Sequence, residues 1–316
     1  MLIAFIGGGL ALKEKLLIAD LFALLTLVPR VSARFFSLPA QIQKWYAIRG
    51  KCENLNSFLE NSESEDRGEI LTNKMISRVE ICNVSFSYEP SKQVLKHVTF
   101  TISQSGLYVL AGASGCGKST LLKLIAKLLP YETGYIKINE QDLKNLERKF
   151  YWKRVGYVAQ ESFIMSGTLL YNITLEDSLD YNDKKNLEYI LNGVDLENFI
   201  SQRQGRIYGV VTEEEMSKGE RVKINIARAL YRKPKILLMD EMTEGLDPEA
   251  EVVILRFLKD YIKKSGMIAI AISHHVKTFY EADKIILMKD GRIEAIEKHS
   301  ILFDSNSAYR RLLAEG

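Results

Sequence analysis

The sequence predicts an α/β fold: a mixed sheet core with an antiparallel β part and a helical part, preceded by an α-helical membrane segment. Three observations carry this. Continuous apolar runs at 107–111 (LYVLA), 235–240 (KILLMD) and 267–272 (MIAIAI) read as central strands buried on both faces. Segments 78–86 (RVEICNVSF) and 95–103 (LKHVTFTIS) partly alternate apolar with polar residues, as antiparallel strands do. The first 36 residues are dominated by apolar runs.

Composition allows such a core. The chain has 316 residues, 47% hydrophobic and 26% charged, which excludes intrinsic disorder and leaves room for two domains, or one large domain with an appendage. Forty-three basic and 40 acidic residues give +3, too balanced for a chain built around nucleic acid. Cys52, Cys82 and Cys116 are odd in number and form no CxxC pair, so neither a disulfide framework nor a zinc site is encoded.

At the N-terminus, 1–12 (MLIAFIGGGLAL) is uncharged and lacks the basic start of a signal peptide. Twelve helical residues rise about 18 Å against a hydrocarbon core of about 30 Å, so this stretch reads as the truncated end of a span. After Lys13-Glu14-Lys15 comes LLIADLFALLTLVP, a second, imperfect span. Asp20 within it is costly unless it faces a bundle interior. Five Lys/Arg and no acid between Arg30 and Lys51 place that flank on the cytoplasmic side. A buried hairpin of a soluble domain is the competing reading of 1–36. The mixed pattern of 40–60 continues as a stalk helix, and NSESEDRGE at 61–69 marks a linker. The expected boundaries are therefore 1–60 for membrane segment and stalk, 61–75 for the linker, and 76–316 for a soluble domain.

Within that domain the periodicity of Leu187, Ile190, Leu191 and Val194 predicts a helical insertion over 183–200, and Asp290-Gly291 between apolar runs predicts a tight hairpin. The sharpest motif is Gly112-Ala113-Ser114-Gly115-Cys116-Gly117-Lys118-Ser119, followed by Thr120. It matches G-x-x-x-x-G-K-[ST] between a predicted strand and a helical run, the context of a phosphate-binding P-loop. Glycines let backbone N–H groups surround phosphate oxygens, the helix N-terminus adds partial positive charge, and Lys118 supplies a cation. Ser119 is placed to ligate Mg²⁺. Asp240 ends an apolar strand that a parallel sheet would bring beside this loop, and Glu241 follows it. Such a pair suits Mg²⁺ binding and orientation of an attacking water.

In this order these residues resemble the ATP-binding cassette (ABC) family over about 76–316. The resemblance implies a P-loop NTPase fold of the ABC type, with ATP and Mg²⁺ as ligands. It further implies that Tyr88, 24 residues before Gly112, stacks on adenine and that Gln160 is a Mg²⁺ ligand reporting to the membrane domain. His274 would contact the γ-phosphate, and Ser119, Gln160 and Asp240 would organise the metal. His275, His97 and His299 receive no catalytic role. The family's LSGGQ signature corresponds to Met216-Ser217-Lys218-Gly219-Glu220. Ser217 and Gly219 fit and would complete the site of an opposing cassette, whereas Lys218 departs. The family's SALD is here Glu244-Gly245-Leu246-Asp247, retaining only the last two residues.

The N-terminal segments and FIMSGTLLYNI after Gln160 resemble the exporter branch, cut to the last two membrane helices. The resemblance thus implies an ATP-hydrolysing exporter subunit at the plasma membrane with its ATPase domain cytoplasmic. Its partners would be a second cassette, identical or related, and a transmembrane domain. The alternative it allows is a hydrolysis-deficient, ATP-binding regulatory or heterodimer partner.

Overall fold

The computed structural model describes residues 68–71, 75–273 and 275–315, together with Leu27. The two predicted membrane stretches, the stalk, most of the 61–75 stretch and His274 lie outside the described residues. The chain divides into two compact units, Met1–Glu65 and Asp66–Gly316, and the second is the α/β domain. Among the described residues no helix is long and apolar enough to cross a membrane.

The domain begins with an antiparallel pair, β1 (Val79–Glu89) and β2 (Lys92–Ile102), then β3 (Gly106–Ala111) and α1 (Lys118–Ile125). Next come β4 (Thr133–Ile138), β5 (Gln141–Asp142), α2 (Arg148–Trp152), β6 (Val155–Val158) and β7 (Gly167–Thr168). A helical stretch follows: α3 (Leu169–Thr174), α4 (Tyr181–Gly193) and α5 (Glu197–Gln202), then β8 (Val210–Val211) and α6 (Lys218–Tyr231). The chain closes with β9 (Ile236–Asp240), α7 (Pro248–Ser265), β10 (Ile268–Ile272) and α8 (Val276–Glu281), followed by β11 (Lys284–Lys289), β12 (Arg292–Glu297), α9 (His299–Ser305) and α10 (Ser307–Glu315).

The three apolar runs are adjacent central strands, in a six-stranded sheet ordered β12-β11-β3-β10-β9-β6. All its pairings are parallel except β11 with β12. Alternate side chains of these strands feed two cores. Leu107, Val109, Leu237, Met239 and Ala269 enter the one shared with α4, α6 and α7. Tyr108, Leu110, Leu238, Ile270 and Ile272 enter the one shared with α1 and the antiparallel sheet β2-β1-β4-β5. Burial on both faces explains why these segments carry no polar alternation.

The hairpin turn is confirmed at Asp290 and Gly291, whose φ values of 51° and 79° are the left-handed pair that a two-residue turn requires. The helical insertion differs from its expected form. It is two helices, α4 and α5, broken at Asp195, where φ is +56°. Val194 and Leu196 flank the break and are both fully buried, so apolar packing holds the chain in a turn that periodicity alone reads through. Within the stretch read as linker, Glu69 bridges to Leu146 and Leu71 is buried in the second core.

Candidate nucleotide-binding site

The P-loop leaves β3 at Gly112 and enters α1 at Lys118. Gly112 has φ 150°, and a Cβ there would collide with the carbonyl oxygen of Met288 on β11, so only glycine lets the loop turn against the neighbouring strand. Gly117 caps α1 in a left-handed conformation (φ 104°). Lys118 is only 6% exposed, and its Nζ donates to the carbonyls of Gly112 (2.7 Å) and Ala113 (3.1 Å), folding the cation back over the loop. Cys116 is buried and its thiol is pushed up by burial, which disfavours thiolate chemistry. The hydroxyl of Tyr88, on an exposed ring set edge-on to Phe86, lies 3.3 Å from Thr120 Oγ1 at the start of α1.

Parallel register brings the acidic pair to this loop. Asp240 is level with Ile272 on β10, and Ser119 Oγ donates to Asp240 Oδ1 at 3.0 Å across 121 residues of sequence. Burial pushes the Asp240 carboxyl above the ordinary aspartate range, opposed by the Ser119 hydrogen bond and reinforced by the charge of Glu241. Glu241 adopts φ 51°, a conformation costly for a non-glycine residue, and its N–H is tied to Ile272 O at 3.1 Å. Gln160, two residues beyond β6, donates from Nε2 to Glu241 Oε2 at 2.6 Å. Ser119, Asp240, Glu241 and Gln160 are thus joined end to end, while Lys118 sits one residue before Ser119.

Oxygen donors from Ser119, Asp240 and Gln160 suit a hard cation such as Mg²⁺. Among the described residues no three His, Cys, Asp or Glu side chains gather as a self-sufficient metal cluster, so such an ion would share its shell with phosphate oxygens and water.

The signature segment lies at the N-terminus of α6. Ser217 is the N-cap: its Oγ accepts from Glu220 N (3.2 Å), and Glu220 Oε2 accepts from Ser217 N (2.8 Å), a complete capping box. Gly219 packs against the 244–247 loop, where a Cβ would stand 3.1 Å from Gly245 O. Lys218 Nζ meets Glu244 Oε1 at 2.6 Å. That contact, with help from the Gln160 amide and the charge of His275, holds the Glu244 carboxyl below the ordinary range.

Comparison with known proteins gives these features a family. A model described as "ABC transporter" matches residues 95–244. "ABC transporter B family member 14" of Arabidopsis thaliana is 32% identical over 265 residues, 82% of this chain and 20% of the relative. A probable multidrug resistance ABC transporter ATP-binding/permease protein of Bacillus subtilis is 29% identical over 310 residues, 98% of this chain and 46% of its own. The solved structure of a bacterial Atm1-family ABC exporter with ATP bound superimposes with a TM-score of 0.72 at 24% identity, covering 95% of this chain and 53% of that one. The chain contains a domain of the ABC transporter family, matched over residues 95–244. It carries the family's ATP-binding domain, whose members bind ATP, in general with Mg²⁺, and hydrolyse it. The chain spans between 20% and 46% of the length of these two relatives.

Three supports of this ABC site are invisible to motif reading. Tyr157 on β6 stands near Asp240 and Tyr88, its hydroxyl pushed up to about 12 by burial first and then by those neighbours. Arg228 of α6 donates to the carbonyls of Phe163 (3.0 Å) and Asn172 (2.6 Å), and Asn225 reaches Ser162 Oγ (3.3 Å), so the signature helix holds the segment after Gln160. His275 Nδ1 lies 3.4 Å from the buried Glu251 carboxylate, and its N–H donates to Ser273 Oγ (3.0 Å), fixing the backbone on either side of position 274. Arg228 and Asn225 sit at helical spacing on one face of the predicted helix, which is the one hint the sequence offered.

Proposed function

We propose that this chain is the ATP-hydrolysing subunit of an ABC exporter, in which two cassettes close head to tail around two Mg-ATP and hydrolysis reopens them, switching access through the membrane helices. On this reading residues 1–60 are membrane segment and stalk, 61–75 a linker whose Glu69 and Leu71 already pack on the domain, and 76–316 the ATP-binding domain, which faces the cytoplasm from the plasma membrane. The second cassette is an identical or related chain, and transmembrane helices complete the pathway. Exporters of this family work as dimers with a transmembrane domain.

The observation that carries the reading is the hydrogen bond of Ser119 to Asp240, with Glu241 beside it and tethered by Gln160. Tyr88 stacks the base. Backbone N–H groups of 112–120 and the Lys118 ammonium hold the phosphates. Ser119, Gln160 and Asp240 would hold Mg²⁺, which when bound neutralises charge on the β- and γ-phosphates. Glu241 orients the attacking water and accepts its proton. His274 senses the γ-phosphate, and Ser217 and Gly219 close over the nucleotide of the opposing chain. Phosphoryl transfer of this kind asks for positioning and charge, not for a covalent intermediate.

Glu241→Gln tests this. Its amide keeps the size and the tie to Gln160 but cannot take a proton. We expect Mg-ATP affinity by calorimetry to stay within about threefold while turnover falls about a thousandfold. Near-normal hydrolysis would remove Glu241 from the water-orienting role.

A further inference from the structure

Lys218, Glu244 and Gly245 depart from the family pattern in two segments, and the structure shows that the departures fit each other. The Lys218 ammonium meets Glu244 at 2.6 Å across 26 residues of sequence. Its aliphatic stem lies over Gly245, where a Cβ would stand 2.6 Å from Lys218 Cδ and 2.7 Å from Cγ. Gly245 also adopts φ 93°, so glycine both leaves room for the lysine and allows the turn. Random loss of a site would not produce charge and shape matched across two motifs.

Glu244 is a hazard in its position. Its N–H donates to Glu241 O at 3.2 Å, so the turn that follows the proposed water-orienting residue carries an extra acid. Gln160 donates to Glu241 at 2.6 Å, and the same amide adds to the stabilisation of the Glu244 charge that Lys218 dominates, so one side chain serves both acids. An unneutralised carboxylate there would repel Glu241 and draw Gln160 away from it.

We infer that Lys218 and Glu244 form a charge-matched positioning pair, in which Lys218 occupies a carboxylate that would otherwise take the Gln160 amide from Glu241. The inference rests on the ATPase reading above. The pair is not a stability device, since the two side chains are 51% and 49% exposed and an ion pair so placed is strongly screened. Its effect falls on the geometry of catalysis.

The experiment compares steady-state ATP hydrolysis by the full 316-residue chain and by K218M, E244Q, K218M/E244Q and K218R. Methionine keeps the stem over Gly245 without the charge, and glutamine keeps the shape of Glu244. We expect K218M to lose about tenfold in kcat with KM within about twofold, and E244Q to lose about twofold. The double variant should recover to within about threefold of wild type, and K218R, which can still pair, should stay within about threefold. Melting temperatures should agree within about 3 °C, excluding a folding effect. Wild-type turnover with a fully active K218M, or with losses that multiply in the double variant, overturns the pair alone. Wild-type chain that binds Mg-ATP and turns over none overturns the ATPase reading and the pair together.

Discussion

Two lysines open two helices in this domain, and their surroundings could hardly differ more. Lys118 begins α1 and Lys218 begins α6, each in a position where the helix dipole opposes a cation. Lys118 is buried and satisfied by two carbonyls of its own loop, inside a structure that also fixes Ser119 against Asp240. Lys218 is half exposed and satisfied by a carboxylate from another loop, beside a serine whose hydroxyl caps the helix at the surface. The contrast sets a loop completed by buried groups of its own surroundings against an exposed segment that, on the proposed reading, also meets a second chain. Nucleotide affinity should therefore belong to the first region, and turnover to both.

Substitutions can break that division. Lys118→Ala removes a buried cation beside the phosphate loop and should weaken Mg-ATP binding to the isolated chain at least about a hundredfold by calorimetry. Binding within threefold of wild type would mean that the loop amides suffice and that the buried lysine is structural. Ser217→Ala, on the other side, should leave single-chain affinity within about twofold while turnover falls about tenfold, alongside a loss of about 1 kcal/mol of helix capping. A parallel drop in single-chain affinity would show that the two regions are not separable.

The smallest expected effect on stability concerns Asp240. Its folded-state carboxyl titrates above the unfolded value, because burial outweighs the Ser119 hydrogen bond. The stability it contributes is present below the unfolded value and lost as pH rises through the folded one, so at neutral pH its ionised form is a net cost. Asp240→Asn should thus raise the melting temperature without nucleotide by about 2–4 °C while abolishing Mg-dependent turnover. A lower melting temperature would show that the Ser119 contact, not burial, dominates.

Much of the nucleotide half was legible because its determinants are contiguous. The pattern from Gly112 to Ser119 is local, the strand before it announces itself by unbroken apolar character, and Asp240 follows from the rule that parallel strands end on one side. Departures were legible too, since Lys218 and Glu244 stand out against the motifs they interrupt. Their mutual contact was not, because nothing in a linear pattern says which loops touch. The same holds for Tyr157 near Asp240, for Arg228 gripping the segment after Gln160, and for the break at Asp195, where the buried neighbours Val194 and Leu196 override helical periodicity. Tertiary packing decided each of these, and no window of sequence contains it.

The wall behind Gly112 has one more consequence. Met288, which backs the loop, and Asp283, whose carboxylate receives the Leu107 N–H at the root of β3, both come 176 residues after their partners. During translation the glycine-rich segment leaves the ribosome with β2 already made, whose Val94 and Leu95 face Gly117, but well before the strand that backs Gly112. A nascent or prematurely terminated polypeptide therefore carries the whole motif in its sequence without the strand that fixes its first glycine.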